Sequence, residues 1–150
     1  MKTHSLKTVL AVAGLALTAA SPVFGNEAKD MFKRMDADGD GKVTALEHAR
    51  FAENKFKQSD TNYDGQVSAA ECDAAEAAYD RKHPVDAKAT AAHIKQVDTD
   101  GNGQVSASEN AAFARSAFAK ADKNGDQVLS EDEVATAYKE MKKEEKAAKD

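Results

Sequence analysis

Apolar residues follow two regimes along the chain. From Thr8 to Ala20 they run almost unbroken. After residue 25 single large apolar positions stand among Ala, Gly and charged residues, and two kinds recur. Phe32, Phe56, Ile94 and Phe118 each lie four residues before an Asp, and Val43, Val67, Val105 and Leu129 each lie seven residues after it. The Ala-rich stretches between are good helix formers. The pattern therefore predicts short helices broken by polar, Gly-bearing loops. The first apolar set faces the core from the end of a helix, and the second enters it from a loop. Aromatic residues make up only 6% of the chain, so this core leans on small side chains.

The pattern is written twice. Residues 31–71 align without gaps on 93–133, and 17 of the 41 pairs are identical. Each unit holds two acidic segments whose starts are 24 residues apart. Only residues 48–59 and 110–121 separate the paired segments, which is room for one helix. The helix leaving one segment must then also lead into the next. Phe51 and Phe56 on the first such helix sit about 140° apart around its axis, so they can serve two different neighbours. Between the units, His83-Pro84 disfavours helix and places a turn at Lys82–Asp86.

The four segments are DADGDGKVTALE (36–47), DTNYDGQVSAAE (60–71), DTDGNGQVSASE (98–109) and DKNGDQVLSEDE (122–133). Each has Asp first, Asp or Asn third and fifth, Ser or Thr ninth and Glu twelfth. Calcium takes six to eight oxygen ligands at about 2.3–2.6 Å, and a short loop can wrap it with alternate residues. The sixth place needs a sharp turn at positive φ, which Gly adopts cheaply. Gly fills it in three loops and Gln127 in the fourth.

These segments resemble EF-hand calcium loops, and the resemblance covers most of the chain after residue 25. It implies an all-α helix-loop-helix array of about six helices, with shared helices between loops 1 and 2 and between loops 3 and 4. The ligands it implies in loop 1 are Asp36, Asp38, Asp40, Lys42 through its carbonyl, Thr44 and Glu47. In loop 2 they are Asp60, Asn62, Asp64, Gln66 through its carbonyl, Ser68 and Glu71. In loop 3 they are Asp98, Asp100, Asn102, Gln104 through its carbonyl, Ser106 and Glu109. In loop 4 they are Asp122, Asn124, Asp126, Val128 through its carbonyl, Ser130 and Glu133. Up to four Ca²⁺ ions are expected, with the fourth site the weakest because of Gln127. EF-hand loops usually pair side by side, and loops at opposite ends of a shared helix cannot touch. Loop 2 is therefore expected to pair with loop 3 through Val67 and Val105, and loop 1 with loop 4 through Val43 and Leu129. The competing arrangement is two independent halves, each pairing with another chain.

Charge sharpens this picture. The chain carries 21 Lys+Arg and 26 Asp+Glu, a net −5. Thirteen of those acids are loop ligand candidates. An acid excess argues against nucleic-acid binding, whose footprint is a basic patch. One cysteine, Cys72, excludes an internal disulfide and reads as a small apolar residue on a helix face. His48, His83 and His93 have no metal-site spacing and read as surface residues. The tail 139–150 is expected to extend the last helix, solvated.

Residues 1–25 read as a secretory signal: Lys2 and Lys7, then a run too short to span a bilayer, which needs about 20 residues, then Val23-Phe24-Gly25 as a small-x-small cleavage site. The expected layout is a cleaved signal at 1–25, a first loop pair within 26–82, a linker turn at 83–86 and a second loop pair within 87–150. The expected location is periplasmic or secreted, with no membrane attachment after cleavage. No serine or cysteine sits in a nucleophile setting, so no enzyme is expected. The function read is a calcium buffer or a calcium sensor, the latter with a protein partner the sequence does not identify. The alternative is a calcium-dependent docking module of the dockerin kind, which typically has two loops and lacks the helix leading into each.

Overall fold

The computed structural model describes residues 24–79 and 87–147. The expected signal at 1–25 lies outside the described residues up to position 23, and the expected turn at 83–86 lies outside them entirely. In chain order the elements are α1 (Phe24–Met35), β1 (Val43–Thr44), α2 (Ala45–Ser59), β2 (Gln66–Ser68), α3 (Ala69–Tyr79), α4 (Ala87–Val97), β3 (Gln104–Ser106), α5 (Ala107–Ala121), β4 (Val128–Leu129) and α6 (Glu131–Ala147). Six helices and four very short strands form a helix-loop-helix array. The tail does extend the last helix, through Ala147.

Both shared helices form as their length requires. α2 and α5 are each 15 residues, about 22 Å at 1.5 Å per residue. A loop at one end of such a helix cannot reach the loop at the other. The strands accordingly pair across the repeat. β1 runs antiparallel to β4 with Val43 opposite Leu129, and β2 runs antiparallel to β3 with Val67 opposite Val105. Loop 1 thus sits beside loop 4 and loop 2 beside loop 3, within one chain.

Each sheet anchors its own body of core. The first body gathers Met31, Phe32 and Met35 of α1, Val43, Phe118 of α5, Leu129, and Val134 and Tyr138 of α6. The second gathers Phe56 of α2, Val67, Cys72 of α3, Ile94 and Val97 of α4, and Val105. The two aromatics of each shared helix divide between them: Phe51 packs on the first body and Phe56 on the second, while Phe113 packs on the second and Phe118 on the first. This is the consequence of placing them five residues apart on one helix. The bodies are joined where α2 and α5 lie along each other, with Ala52 against Ala114. Two alanines let the backbones approach, and the buried Asn110 donates Nδ2–H to the carbonyl of Ala52 at 3.3 Å.

One expectation about the histidines is corrected. His48 is buried, 3% exposed, edge-on to the Phe118 ring. His93 is half-buried against Phe113. Both lie on helix faces turned towards α5, so metal-site spacing was the wrong guide to their burial. Cys72 is buried, as its reading as a small apolar residue requires.

Candidate metal centres

Each loop begins where a helix ends. The amide of the first loop residue donates to the carbonyl of the apolar residue four back: Asp36 to Phe32, Asp60 to Phe56, Asp98 to Ile94 and Asp122 to Phe118, at 2.8–2.9 Å. The same residues that pack the core therefore fix where each loop starts.

Inside the loops the chain turns its amides onto its own carboxylates. The first Asp accepts from the amide of the sixth residue in every loop: Gly41 to Asp36, Gly65 to Asp60, Gly103 to Asp98 and Gln127 to Asp122. The third and fifth residues each accept from the amide two places on, as with Asp40 to Asp38 and Lys42 to Asp40. The side chains at positions one, three and five are thereby held on the inner side of the turn.

The twelfth residue closes each loop. One oxygen of Glu47 accepts from the amide of Ala37 at 3.0 Å, and the other from the amide and hydroxyl of Thr44, both at 2.8 Å. Glu71 does the same with Thr61 and Ser68, Glu109 with Thr99 and Ser106, and Glu133 with Lys123 and Ser130. The ninth residue also caps the exiting helix. Thr44 and Ser106 form reciprocal capping boxes with Glu47 and Glu109 at the starts of α2 and α5. The second residue of each loop, which the sequence reading passed over, donates its backbone amide to the terminal Glu, and in loops 2 and 3 the hydroxyls of Thr61 and Thr99 donate to Glu71 and Glu109 as well, at 3.3 and 2.9 Å.

These donors keep the terminal carboxyls charged. The Thr44 amide and hydroxyl hold Glu47 below the usual carboxylate range, and Ser68 and Ser130 do the same for Glu71 and Glu133. The amide and hydroxyl of Ser106, helped by the Thr99 amide, push Glu109 down to about 2. The Gly103 amide lowers Asp98. In two loops three acids each bring one oxygen within 4.8 Å of the others: Asp36, Asp38 and Asp40 in loop 1, and Asp98, Asp100 and Glu109 in loop 3. The side-chain donors in the four loops are carboxylate, amide or hydroxyl oxygens, with neither sulfur nor imidazole among them, which is the set a hard cation such as Ca²⁺ prefers. Lys42, Gln66, Gln104 and Val128, the expected carbonyl ligands, stand where each loop meets its strand.

Backbone strain separates the loops. The fourth and sixth residues take positive φ throughout: Gly39 and Gly41, Tyr63 and Gly65, Gly101 and Gly103, Gly125 and Gln127. The strain expected at Gln127 is present, φ 68°. Tyr63, φ 60°, is a second strained position that the sequence reading missed. Gly at the fourth place of the other three loops was the available signal. The fourth loop is therefore not alone in departing from the glycine pattern.

An EF hand family model matches residues 28–51 and 92–109, the stretches that contain loops 1 and 3. The match supports an EF-hand calcium-binding family. The carboxylate groups of the same two loops support calcium binding independently. A comparison with curated proteins returned no match.

Proposed function

We propose that this chain is an exported calcium-binding protein with four EF-hand sites, acting as a buffer. The observation that carries the reading is the shared geometry of all four loops: inward oxygens at positions one, three and five, and a charged Glu folded back over the loop at position twelve. The two loops outside the family match, 60–71 and 122–133, repeat this geometry hydrogen bond for hydrogen bond at their twelfth residue. The family is typically one of non-enzymatic calcium binders, and no activity is proposed.

Buffering rather than sensing is favoured by where the apolar side chains lie. A sensor opens a groove, usually rich in methionine, when calcium binds. Here Met31 and Met35 are closed into the first body. Among the described residues the large apolar side chains that stand exposed are Leu46, in the first turn of α2, and Tyr63, in loop 2. A docking module of the dockerin kind is disfavoured by the helices α1, α2, α4 and α5, one leading into each loop.

Export is supported by the charge and apolar pattern of residues 1–25. Among the described residues no helix is long and apolar enough to cross a membrane. The tests are direct. Calorimetry on the processed protein should count four calcium ions, and fewer than four would sink the four-site reading. Binding of a fluorescent apolar-surface dye should not rise on adding calcium. A rise would make the protein a sensor. The mass of the protein recovered from outside the cytoplasm should lack the first 25 residues.

A further inference from the structure

Resting on the four-site reading above, we infer that the sites fill in two steps, loops 1 and 3 first and loops 2 and 4 second, with each early site coupled to both late ones. Three features of the chain divide the loops in the same way. Loops 1 and 3 carry Asp at the third place, Asp38 and Asp100, where loops 2 and 4 carry Asn62 and Asn124. Loops 1 and 3 each bring three acids to within 4.8 Å of one another. They also meet both positive-φ positions with Gly, whereas loop 2 holds Tyr63 and loop 4 holds Gln127 in that region. A non-Gly residue there is strained by an amount worth about ten-fold in an equilibrium constant. Where an empty loop relaxes that angle, the incoming ion must restore it, and its affinity falls by up to that factor.

The tertiary structure decides how unlike loops are arranged. Loop 1 meets loop 4 through the Val43–Leu129 sheet pair and loop 2 through α2. Loop 3 meets loop 2 through the Val67–Val105 pair and loop 4 through α5. The four loops therefore form a closed ring, loop 1 to 4 to 3 to 2 and back to 1, alternating between the two classes. No early site touches the other early site. Every late site has one early neighbour across a sheet and the other at the far end of a shared helix. Filling loops 1 and 3 fixes both strands and both helix starts that loops 2 and 4 must match. The Glu47 and Glu109 capping boxes tie those helix starts to the early loops. Coupling of this kind is reciprocal in free energy. Because the early sites fill while their neighbours are empty, removing a late site leaves the early step unchanged, and removing an early site weakens the late ones.

The glycines give a reading of each site. Six of the eight lie in the loops, and the amides of Gly41 and Gly103 report the early class while those of Gly65 and Gly125 report the late one. In a calcium titration of the full chain followed by amide NMR and calorimetry, Gly41 and Gly103 should shift within the first two equivalents, and Gly65 and Gly125 after them. The paired substitution Tyr63→Gly with Gln127→Gly should strengthen the second step by about ten-fold and draw the two steps together, leaving the first unmoved. Glu133→Gln should delete one late ion and leave the first step as it was. Glu47→Gln should delete one early ion and weaken the Gly125 transition several-fold. Fewer than four ions overturns the four-site reading itself. Four ions with all four glycines shifting together, or with Gly65 and Gly125 first, overturns the order. An unchanged Gly125 transition in Glu47→Gln overturns the coupling.

Discussion

The body around loops 1 and 4 and the body around loops 2 and 3 use equivalent parts, related by the repeat, and bury them to different depths. Four of the five largest fully buried side chains, Tyr138, Leu129, Val43 and Val134, belong to the first body, and only Val97 to the second. The difference comes from the outer helices. Through the 62-residue offset, α6 of the first body corresponds to α3 of the second, and α1 to α4. Val134 and Tyr138 stand where α3 has Cys72 and Glu76. Ala28 and Met31 stand where α4 has Thr90 and His93. The repeat thus reproduces the loops and the sheet closely, and the flanks decide how much apolar surface each sheet collects. The second body, closed by two helices of 11 residues, is the one expected to open first when calcium is withdrawn.

The largest effect should come from cutting into the deeper body. Tyr138→Ala removes a side chain with no exposed surface and should destabilise the protein by about 3–5 kcal/mol in urea unfolding. A loss below about 1 kcal/mol would show that the first body is not the stable half.

Acid should act next. Burial pushes His48 down to about 4, below its ordinary value of 6.5. The folded state therefore resists the proton that the unfolded chain accepts. Stability is full above pH 6.5, falls as pH drops towards 4, and the loss from this residue alone is about 3 kcal/mol. Glu109, pushed down to about 2, works in a lower window: its contribution is present above the ordinary value of 4.5 and is lost as pH falls towards 2. Replacing His48 by Asn, the residue at the equivalent position 110, should flatten the slope between pH 6.5 and 4 while leaving the lower one. An unchanged profile would assign that slope elsewhere.

The comparison can also be reversed. His93 is likewise pushed down to about 4 by burial, and its buried Nδ1 has no hydrogen-bond partner among the described residues. His93→Met imports the residue of the first body and removes a buried polar atom that costs about 1–3 kcal/mol unmet. It should raise the midpoint of thermal unfolding at pH 7. A fall would mean that the ring contact with Phe113 outweighs that penalty.

Backbone strain sets the next scale. A Cβ at Gly101, φ +77°, would meet no atom within 4 Å, so Gly101→Ala isolates the strain of the left-handed region. It should cost about 1–2 kcal/mol and leave the second body's core packing signals intact. The smallest effect belongs to the join. Asn110→Ala removes the hydrogen bond to Ala52 and should cost about 1 kcal/mol, read as a small shift in the urea midpoint with both bodies still unfolding together.

Much of this molecule is legible residue by residue. Asp at the first place, Glu at the twelfth and Gly at the sixth identify the loops because each answers a local demand: an inward oxygen, a side chain long enough to return, and a positive φ. The shared helices follow from length alone, since residues 48–59 leave no room for two. The division of Phe51 and Phe56 between two cores follows from helical geometry. Tyr63 escaped because a strained angle at an aromatic residue contradicts its own propensity, and only its neighbours' glycines hint at it. His48 escaped because burial is set by what lies across the helix.

By itself, then, the sequence determined the four oxygen-lined loops, their spacing and the helices that bind them into pairs along the chain, because these depend on contacts within about a dozen residues. The tertiary structure decided the depth of each body and the burial of His48. Those depend on which faces of α2 and α5 meet, and that meeting is fixed by Ala52 and Ala114, 62 residues apart, with no local signature of their own.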